Sequence, residues 1–461
     1  MKFRKRGTVD NPATTADPAS AEHRFALGYS AGYTRGCAEG YSDFDRDFEG
    51  TSIIIPTYNK KDLLEMCLNS IEAHTPHPYE IIVVDDASSD GTADLFPSRR
   101  KVRLAKHTHN AGFAGSVNTG LMMAKGRTVV VLNNDVLVTE NWLGNMLKCL
   151  YSSPEIGAVG PVTNYIGGEQ QVDVPYDRIE GMQEFAAGFN QSDPGLWRQT
   201  ERLVGFCLLM RRETVLRTGF FDEGYNVGNY EDDDWMIRLR IQGLKLMIAG
   251  DTFIHHFGSE TMKSLEPREV EQNTMVNQSY FHQKWGGTER FVKLEQAGHR
   301  GMVNPSSCSI DSLGIPMQVL VCSCSGIIYW LEQGKRYRIQ AADGQMDGLP
   351  VAPPVRLSQP ALRGIPLGGE WDGHLLRQSV SEAINHPNNV NAPVTEGTVY
   401  LTEAGQLGQI HGGTARAFWS RYAAEAWGLL DRARPVSAGE LEHYAQGSYI
   451  LPPIRLHSQV L

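Results

Sequence analysis

The chain has 461 residues, a formal net charge of −10 and a sequence pI near 5.8. That length exceeds one ordinary domain and points to two or three units with real cores. The acidic balance argues against nonspecific attraction to nucleic acid or to an anionic membrane surface, since both need basic patches, yet a divalent cation can still bridge acids to an anionic ligand.

From the N-terminus, "MKFRKRGTVDNPATTADPAS" lacks the apolar core of a secretory signal and reads as a disordered leader. Residues 24 to 41 repeat glycine at Gly28, Gly32, Gly36 and Gly40. If helical, this stripe lets another backbone approach closely, which predicts a helix packed on a partner helix across a homo-oligomer interface. Glycine costs helix stability, about 1 kcal/mol each relative to alanine, so such a helix needs that partner.

From Thr51 to about Gly287 strands alternate with helices, the pattern of a largely parallel sheet covered on both faces. "TSIIIP", "YEIIVVDD", "VRLAKH" and "TVVVLNND" read as strands; "KKDLLEMCLNSIEAH" and "AGSVNTGLMMAKG" read as helices, and "TADLF" as the start of another. Ligands of such sheets bind beyond the carboxyl ends of the strands, where this chain has "PTYN", "DDASSDGT" and "NNDV". No GxGxxG follows the first strand and no GxxxxGK[ST] occurs, so dinucleotide and P-loop readings lack their phosphate cradle. Acids at strand ends repel a bare pyrophosphate, and Mg²⁺ or Mn²⁺ shared by both resolves that conflict.

"NYEDDDWMIRLR" places Glu231, Asp232, Asp233 and Asp234 before an amphipathic run. Acids in a helix's first turn are stabilised by its exposed N–H groups, but four in a row repel and raise one another's pKa. "SLGIPMQVLVCSCSGIIYWL", near membrane-spanning length, fits two buried strands better than one spanning helix. Seven scattered cysteines, with Cys322 and Cys324 the only close pair, read as reduced thiols of a cytoplasmic protein that can lie at the membrane periphery; Cys207 reads as a core residue. From about Gly301 the texture is strand and turn, and "GIIYWLEQGKRYRI" (326–339) aligns without a gap on "GTVYLTEAGQLGQI" (397–410), an internal duplication.

Five ordered stretches, "IIIPTYNKKDLLEMCLNSI", "EIIVVDDASSDGT", "NAGFAGSVNTGLMMAKG", "VVVLNNDVLVTENWL" and "GFFDEGYNVGNYEDDDWMIRLRIQGLKLMIAGDTFIHHFGS", resemble the family-2 glycosyltransferases with the GT-A fold. The resemblance covers roughly half the chain. It implies an α/β fold with a Rossmann-like, mostly parallel sheet over 49–300, after a leader and glycine-striped helix (1–48) and before a β-rich duplicated module (301–461). That module resembles a bacterial surface-protein repeat of the type "VYLIENGKRRWI".

The same resemblance implies that Pro56, Thr57, Tyr58 and Asn59 line the nucleotide pocket and that Asp85 and Asp86 meet base and ribose. Asn110, Gly112 and Phe113, with Asn118 behind them, would close over the donor. Asn133, Asn134 and Asp135 stand at the metal motif, with Asp135 as the metal ligand and His256 near metal and diphosphate; His255, next to it on a strand, would face away. Glu231 and Asp232 occupy the place of the acids of an inverting transfer, with Asp232 favoured as base and Glu231 as the acceptor-orienting neighbour. Gly205, Trp235 and Arg238 are expected on the acceptor side. The implied activity moves a hexosyl or deoxyhexosyl group from a UDP- or dTDP-sugar, with Mn²⁺ or Mg²⁺, to a glycan or protein hydroxyl. The alternative is an inactive glycan-binding or scaffold protein that keeps the pocket.

Overall fold

The computed structural model describes residues 48–96, 99, 102–226, 228–258, 267–287, 293–294, 310–340, 346, 348–385 and 393–457. The expected leader and glycine-striped helix over 24–41 lie outside these residues. Glu49–Leu461 form one compact unit.

The first half runs β1 (Phe48–Thr57), α1 (Lys61–His74), β2 (Tyr79–Asp85), β3 (Val102–Lys106), α2 (Gly112–Met123), β4 (Gly126–Leu132), β5 (Val136–Leu137), α3 (Trp142–Tyr151) and β6 (Ile156–Val162). It continues through α4 (Met182–Phe189), β7 (Trp197–Thr200), β8 (Cys207–Arg211), α5 (Arg212–Thr218), α6 (Glu231–Ile241), β9 (Lys245–Phe253), β10 (His255–His256) and α7 (Pro267–Trp285). Eight of these strands make one sheet in the order β3-β2-β1-β4-β8-β6-β9-β7. β1, β2 and β3 are mutually parallel, β6 and β9 likewise, while β8 runs antiparallel to β4 and β6 and β7 antiparallel to β9. This is the expected GT-A type of α/β architecture.

The pleat explains why β1 is apolar throughout. Ile53 and Ile55 enter the core layer that α1 and α3 cover, with Leu64, Leu68, Ile71, Trp142 and Met146. Ile54, on the opposite face, joins the layer under α2 with Val117 and Leu121. α1 buries Leu64, Cys67, Leu68 and Ile71 at i, i+3, i+4 and i+7. Gly120 lets α2 lie directly on β1, since a Cβ there would sit 2.2 Å from Ile54 Cγ2. "TADLF" makes only a single 3₁₀ turn, Thr92–Leu95.

The second half continues with α8 (Ile310–Leu313), β11 (Val319–Cys322), β12 (Ile328–Glu332), β13 (Lys335–Gln340), β14 (Val355–Arg356), α9 (Gln359–Gly364), β15 (Leu367–Asp372) and α10 (Gly373–Asn385). β16 (Val399–Thr402), β17 (Leu407–His411), β18 (Thr414–Ala417), α11 (Arg421–Ala426), β19 (Arg434–Val436), α12 (Ala438–Leu441) and β20 (Ala445–Gln446) complete it. Two five-stranded sheets, β14-β11-β12-β13-β15 and β19-β16-β17-β18-β20, repeat one topology of three antiparallel strands flanked by a parallel strand at each edge. The duplication is therefore visible in the backbone, but its register differs from the ungapped alignment. That alignment sets β12 on β16, whereas sheet position sets β12 on β17 and β13 on β18. All these short strands share alternation and glycine turns, so a one-strand slip costs little similarity. "SLGIPMQVLVCSCSGIIYWL" does hold two strands, β11 and β12, and no helix among the described residues is long and apolar enough to cross a membrane.

Candidate active site

The expected donor residues gather at the carboxyl ends of β1, β2 and β4. Thr57 pairs with Asp85 at the last register position of β1 and β2, and Asn134 Nδ2 donates to Thr57 Oγ1 at 2.8 Å. Pro56 is buried in the strand end. Tyr58 is 43% exposed there, and Asn59 and Lys60 turn the chain away with φ of 55° and 66°. Asn59 is held by Ser88 Oγ, which accepts its N–H at 2.8 Å, and its own Oδ1 accepts the Ser89 N–H at 3.0 Å.

Asp85 and Asp86 have different duties. Asp86 Oδ1 bonds His107 Nδ1 and accepts the Ala111 N–H, both at 2.7 Å, while Oδ2 accepts the Gly112 N–H at 2.9 Å. It is thus spent on pinning the loop that carries Asn110 and Gly112, in which Asn110 Oδ1 also accepts the Gly112 N–H. Asp85 is fully buried; its Oδ1 accepts the Ser88 N–H at 2.9 Å, and its Oδ2 has no hydrogen-bond partner. A buried orphan oxygen at a strand end is the atom a ligand donor would satisfy. Replacing Asp86 by Ala is accordingly expected to loosen the Asn110 loop and raise the donor KM by about tenfold, the loss of one or two charge-assisted hydrogen bonds, with kcat less affected in steady-state kinetics.

Phe113 is half-buried in the α2 core layer. Asn118 corrects its expected placement: it is fully buried, donates to Phe221 O and Glu223 Oε1 at 2.9 Å each, and accepts the Phe221 N–H at 2.8 Å. It locks α2 to the 219–224 loop and has no polar atom left for a donor.

At the expected metal motif, β5 and β10 form an antiparallel ribbon with Val136 opposite His256. This brings His256 Nε2 to 3.2 Å from Asp135 Oδ1, both residues being buried. His256 Nδ1 sits 2.8 Å from the Tyr165 carbonyl, which requires a proton on Nδ1. Nε2 has no hydrogen-bond partner and, in the neutral ring, aims a lone pair at a carboxylate. A cation relieves that juxtaposition, and the separation is close to the distance of about 3 Å between neighbouring ligands on one octahedral ion with bonds of ~2.1 Å. Among the described residues no three His, Cys, Asp or Glu side chains come together to hold a metal ion. Asn133 is half-buried and gives its N–H to Phe206 O at 2.9 Å. His255 faces the other way, as alternation requires, bonding the Tyr176 hydroxyl at 2.8 Å, and burial, then the neighbouring His256, lowers its pKa to about 4.

The four acids occupy the first turn of α6, and no two share an environment. Asp232 Oδ2 accepts the Gly205 N–H at 2.9 Å and Oδ1 the Asp233 N–H at 2.9 Å. Burial, reinforced by Asp233, outweighs Arg202 and raises the Asp232 pKa to about 6. Glu231 is buried with Oε2 unpartnered, and burial together with Asp232 pushes its pKa well above the ordinary carboxyl value. Asp233 meets Arg202 at the surface at 2.6 Å. Asp234 is fully buried, accepting from Tyr225 and Trp285 and pairing with Lys284 and Arg238.

Gly205, expected on the acceptor side, packs against Asp232; a Cβ on it would come within 3.2 Å of Asp232 Oδ2. Trp235 and Arg238, expected on the acceptor side, face the core instead. Trp235 stacks on Phe221 at 5.6 Å and donates to Gly219 O, and Arg238 bonds Asp234 and Thr218 O. Arg238 follows Asp234 by one turn on the same face, and Trp235 is buried because α6 is enclosed on most of its sides.

Sequence reasoning missed Phe206, which joins the two halves of the site. Its carbonyl receives Asn133, its ring stacks on His256 at 5.4 Å, and its neighbour Gly205 holds Asp232. It also missed Asn164, whose side chain brackets the His256 backbone, and Asn277 on α7. None of these has a spacing that separates it from an ordinary core or loop residue. Cys207 is core, its thiol raised by burial.

An orphan carboxylate at the strand ends, a carboxylate–imidazole pair and a buried acid pair with raised pKa values together make a site suited to an anionic donor and a proton acceptor. Residues 52–219 match the sequence model of Glycosyl transferase family 2. It is 26% identical over 238 residues to a chondroitin synthase of Pasteurella multocida, covering 45% of this chain and 24% of that one. It is 29% identical over 229 residues to the O-antigen biosynthesis protein RfbC of Myxococcus xanthus, covering 44% and 17% respectively. The matched stretch is thus a minor part of these longer relatives. A solved structure of GalNAc-T7 with UDP, GalNAc and Mn²⁺ superposes with a TM-score of 0.39 at 15% identity, over 54% of this chain and 55% of that one.

Proposed function

We propose that the protein is an inverting glycosyltransferase that moves a hexosyl or deoxyhexosyl group from a UDP- or dTDP-sugar to a hydroxyl of a glycan or protein. The observation that carries this reading is the link Asp232–Gly205–Phe206–His256, which sets a base-competent acid beside the carboxylate–imidazole pair. Asp85 Oδ2 receives a donor group of the nucleoside, while Asp86 holds the Asn110 loop over it. Asp232, with a pKa near 6, is largely ionised at neutral pH and takes the proton of the acceptor hydroxyl as that oxygen attacks the anomeric carbon. Glu231, its pKa pushed up by burial and by Asp232, can in its protonated form donate a hydrogen bond to the acceptor and orient it. Asp135 and His256 would hold Mn²⁺ or Mg²⁺, which supplies charge neutralisation for the departing diphosphate.

The test is thermal stabilisation by ligand, which rises by mass action when only the native state binds. UDP or dTDP is expected to raise Tm only with Mn²⁺ or Mg²⁺, and Asp135→Ala to remove the rise. Nucleotide binding that needs no metal and survives Asp135→Ala would overturn the metal assignment. Absence of sugar transfer or donor hydrolysis in the intact protein would favour a glycan-binding role.

A further inference from the structure

The start of α6, and with it the acid pair, is held by parts of the chain beyond the family-2 match, which ends at residue 219. Ahead of the helix Gly228, Asn229 and Tyr230 all adopt left-handed backbone, with φ of 102°, 76° and 75°. Non-glycine residues keep that conformation only where their surroundings impose it. Asn277 on α7 imposes it here: its Nδ2 faces the carbonyls of Asn226, Gly228 and Asn229 at 2.8, 2.9 and 3.1 Å, and its Oδ1 accepts the Asn226 N–H at 2.9 Å.

Two turns further along the same face of α7, buried Lys284 pairs with Asp234 of the acid run and with Asp222. The end of α7 is in turn gripped by the second repeat. Trp419 Nε1 donates to Trp285 O at 3.1 Å, Ser420 Oγ donates to Lys284 O at 2.8 Å, and the Trp285 and Trp419 rings meet edge to face at 5.8 Å. The C-terminal strap closes the circuit, with the Arg455 N–H on Asp222 Oδ1 at 3.1 Å and the Glu223 N–H on Arg455 O at 2.9 Å.

We propose that the C-terminal duplicated module is a positioning element for the acid pair, acting through α7, with Asn277 and Lys284 as the positioning residues. The inference rests on reading Glu231 and Asp232 as the acids that orient and activate the acceptor. A general base works only within hydrogen-bond reach, and a displacement of about 1 Å costs on the order of 10²-fold in rate. A grip on the far end of α7 therefore acts on kcat, while the donor pocket at the ends of β1 and β2 is built from other elements.

The test uses the full chain with Trp419→Phe and Ser420→Ala combined, which removes both hydrogen bonds to the end of α7 and keeps an aromatic ring. Amide hydrogen exchange of Asp233 to Leu239 should accelerate about fivefold or more, the equivalent of one lost hydrogen bond, with β1 and β2 unchanged. In transfer assays kcat should fall at least as much, with donor KM within about twofold of wild type. Asn277→Ala should produce the same split from two turns earlier in α7. Wild-type exchange in α6 together with wild-type kcat in either folded variant would overturn the proposal, as would acceleration spread evenly over the chain. If the wild type itself moves no sugar, the catalytic reading fails, and exchange in α6 alone decides whether the module orders that helix.

Discussion

Replacing Asp232 by Asn is expected to lower sugar transfer by roughly 10²–10⁴-fold, the usual contribution of a general base, with nucleotide-sugar binding retained. Asn keeps the shape of the carboxylate and can still accept one of its two backbone N–H groups, from Gly205 or Asp233, so the loss comes chiefly from the basic lone pair. The pH dependence has a definite sign: Asp232 acts ionised, so transfer is lost as pH falls through about 6. Asp233→Asn should move that limb to lower pH without abolishing transfer, because the Asp233 charge helps to raise Asp232. Stability should change in the opposite sense to activity. The folded pKa lies above the ordinary value of 3.8, so the native state binds this proton more tightly and wild-type stability falls as pH rises from about 4 to about 6. Asp232→Asn escapes that cost and should be more stable at pH ~8 by on the order of 1 kcal/mol, measurable by urea unfolding. Full transfer by Asp232→Asn with a dead Glu231→Gln would move the base to Glu231.

Much of this site is legible in the sequence because strand ends in a parallel sheet collect the polar groups. The isoleucine run of β1 announces a strand buried on both faces, and "PTYN" follows it where ligands bind. The division of labour between Asp85 and Asp86 is not legible in that way. Both are acids at one strand end, and only the Ala111 and Gly112 amides, some 25 residues later, decide which is consumed. Arg238 is open to a better reading, since it follows Asp234 at four residues and so shares its buried stripe. Composition around "EDDDW" favours a solvated helix start, and the inward turn becomes apparent only once Lys284 arrives from 50 residues away.

The duplicated module is legible as texture and not as register. Glycine turns and short alternating strands recur at every hairpin, so similarity alone aligns neighbouring hairpins almost as well as equivalent ones. The later cues are sharper. Ser358 caps α9 after β14, and Ser437 caps α12 after β19 in a capping box with Glu440; these equivalent positions fix the true register.

The second large effect concerns stability and centres on Asp234. This side chain is fully buried and bonded by Tyr225, Trp285, Lys284 and Arg238. Burial by itself would raise its pKa, but Lys284 and Arg238 outweigh burial and hold it below the ordinary value. A depressed folded pKa contributes stability that is complete above the unfolded value, near 3.8, and that is lost as pH falls through the folded value. Asp234→Ala removes the acceptor and leaves two cations short of a counter-charge in the core, a loss expected to cost about 3–5 kcal/mol. Asp222 softens the loss at Lys284 but does not touch Arg238. Asp234→Asn keeps a carbonyl for Tyr225 or Trp285 and should cost less. If the damage is stranded charge, adding Lys284→Met to Asp234→Asn should recover part of the stability, whereas independent sites would simply add. Urea unfolding of the two single variants and the double variant at pH ~7 measures the coupling, and strict additivity would show that Lys284 and Asp234 do not act as a pair.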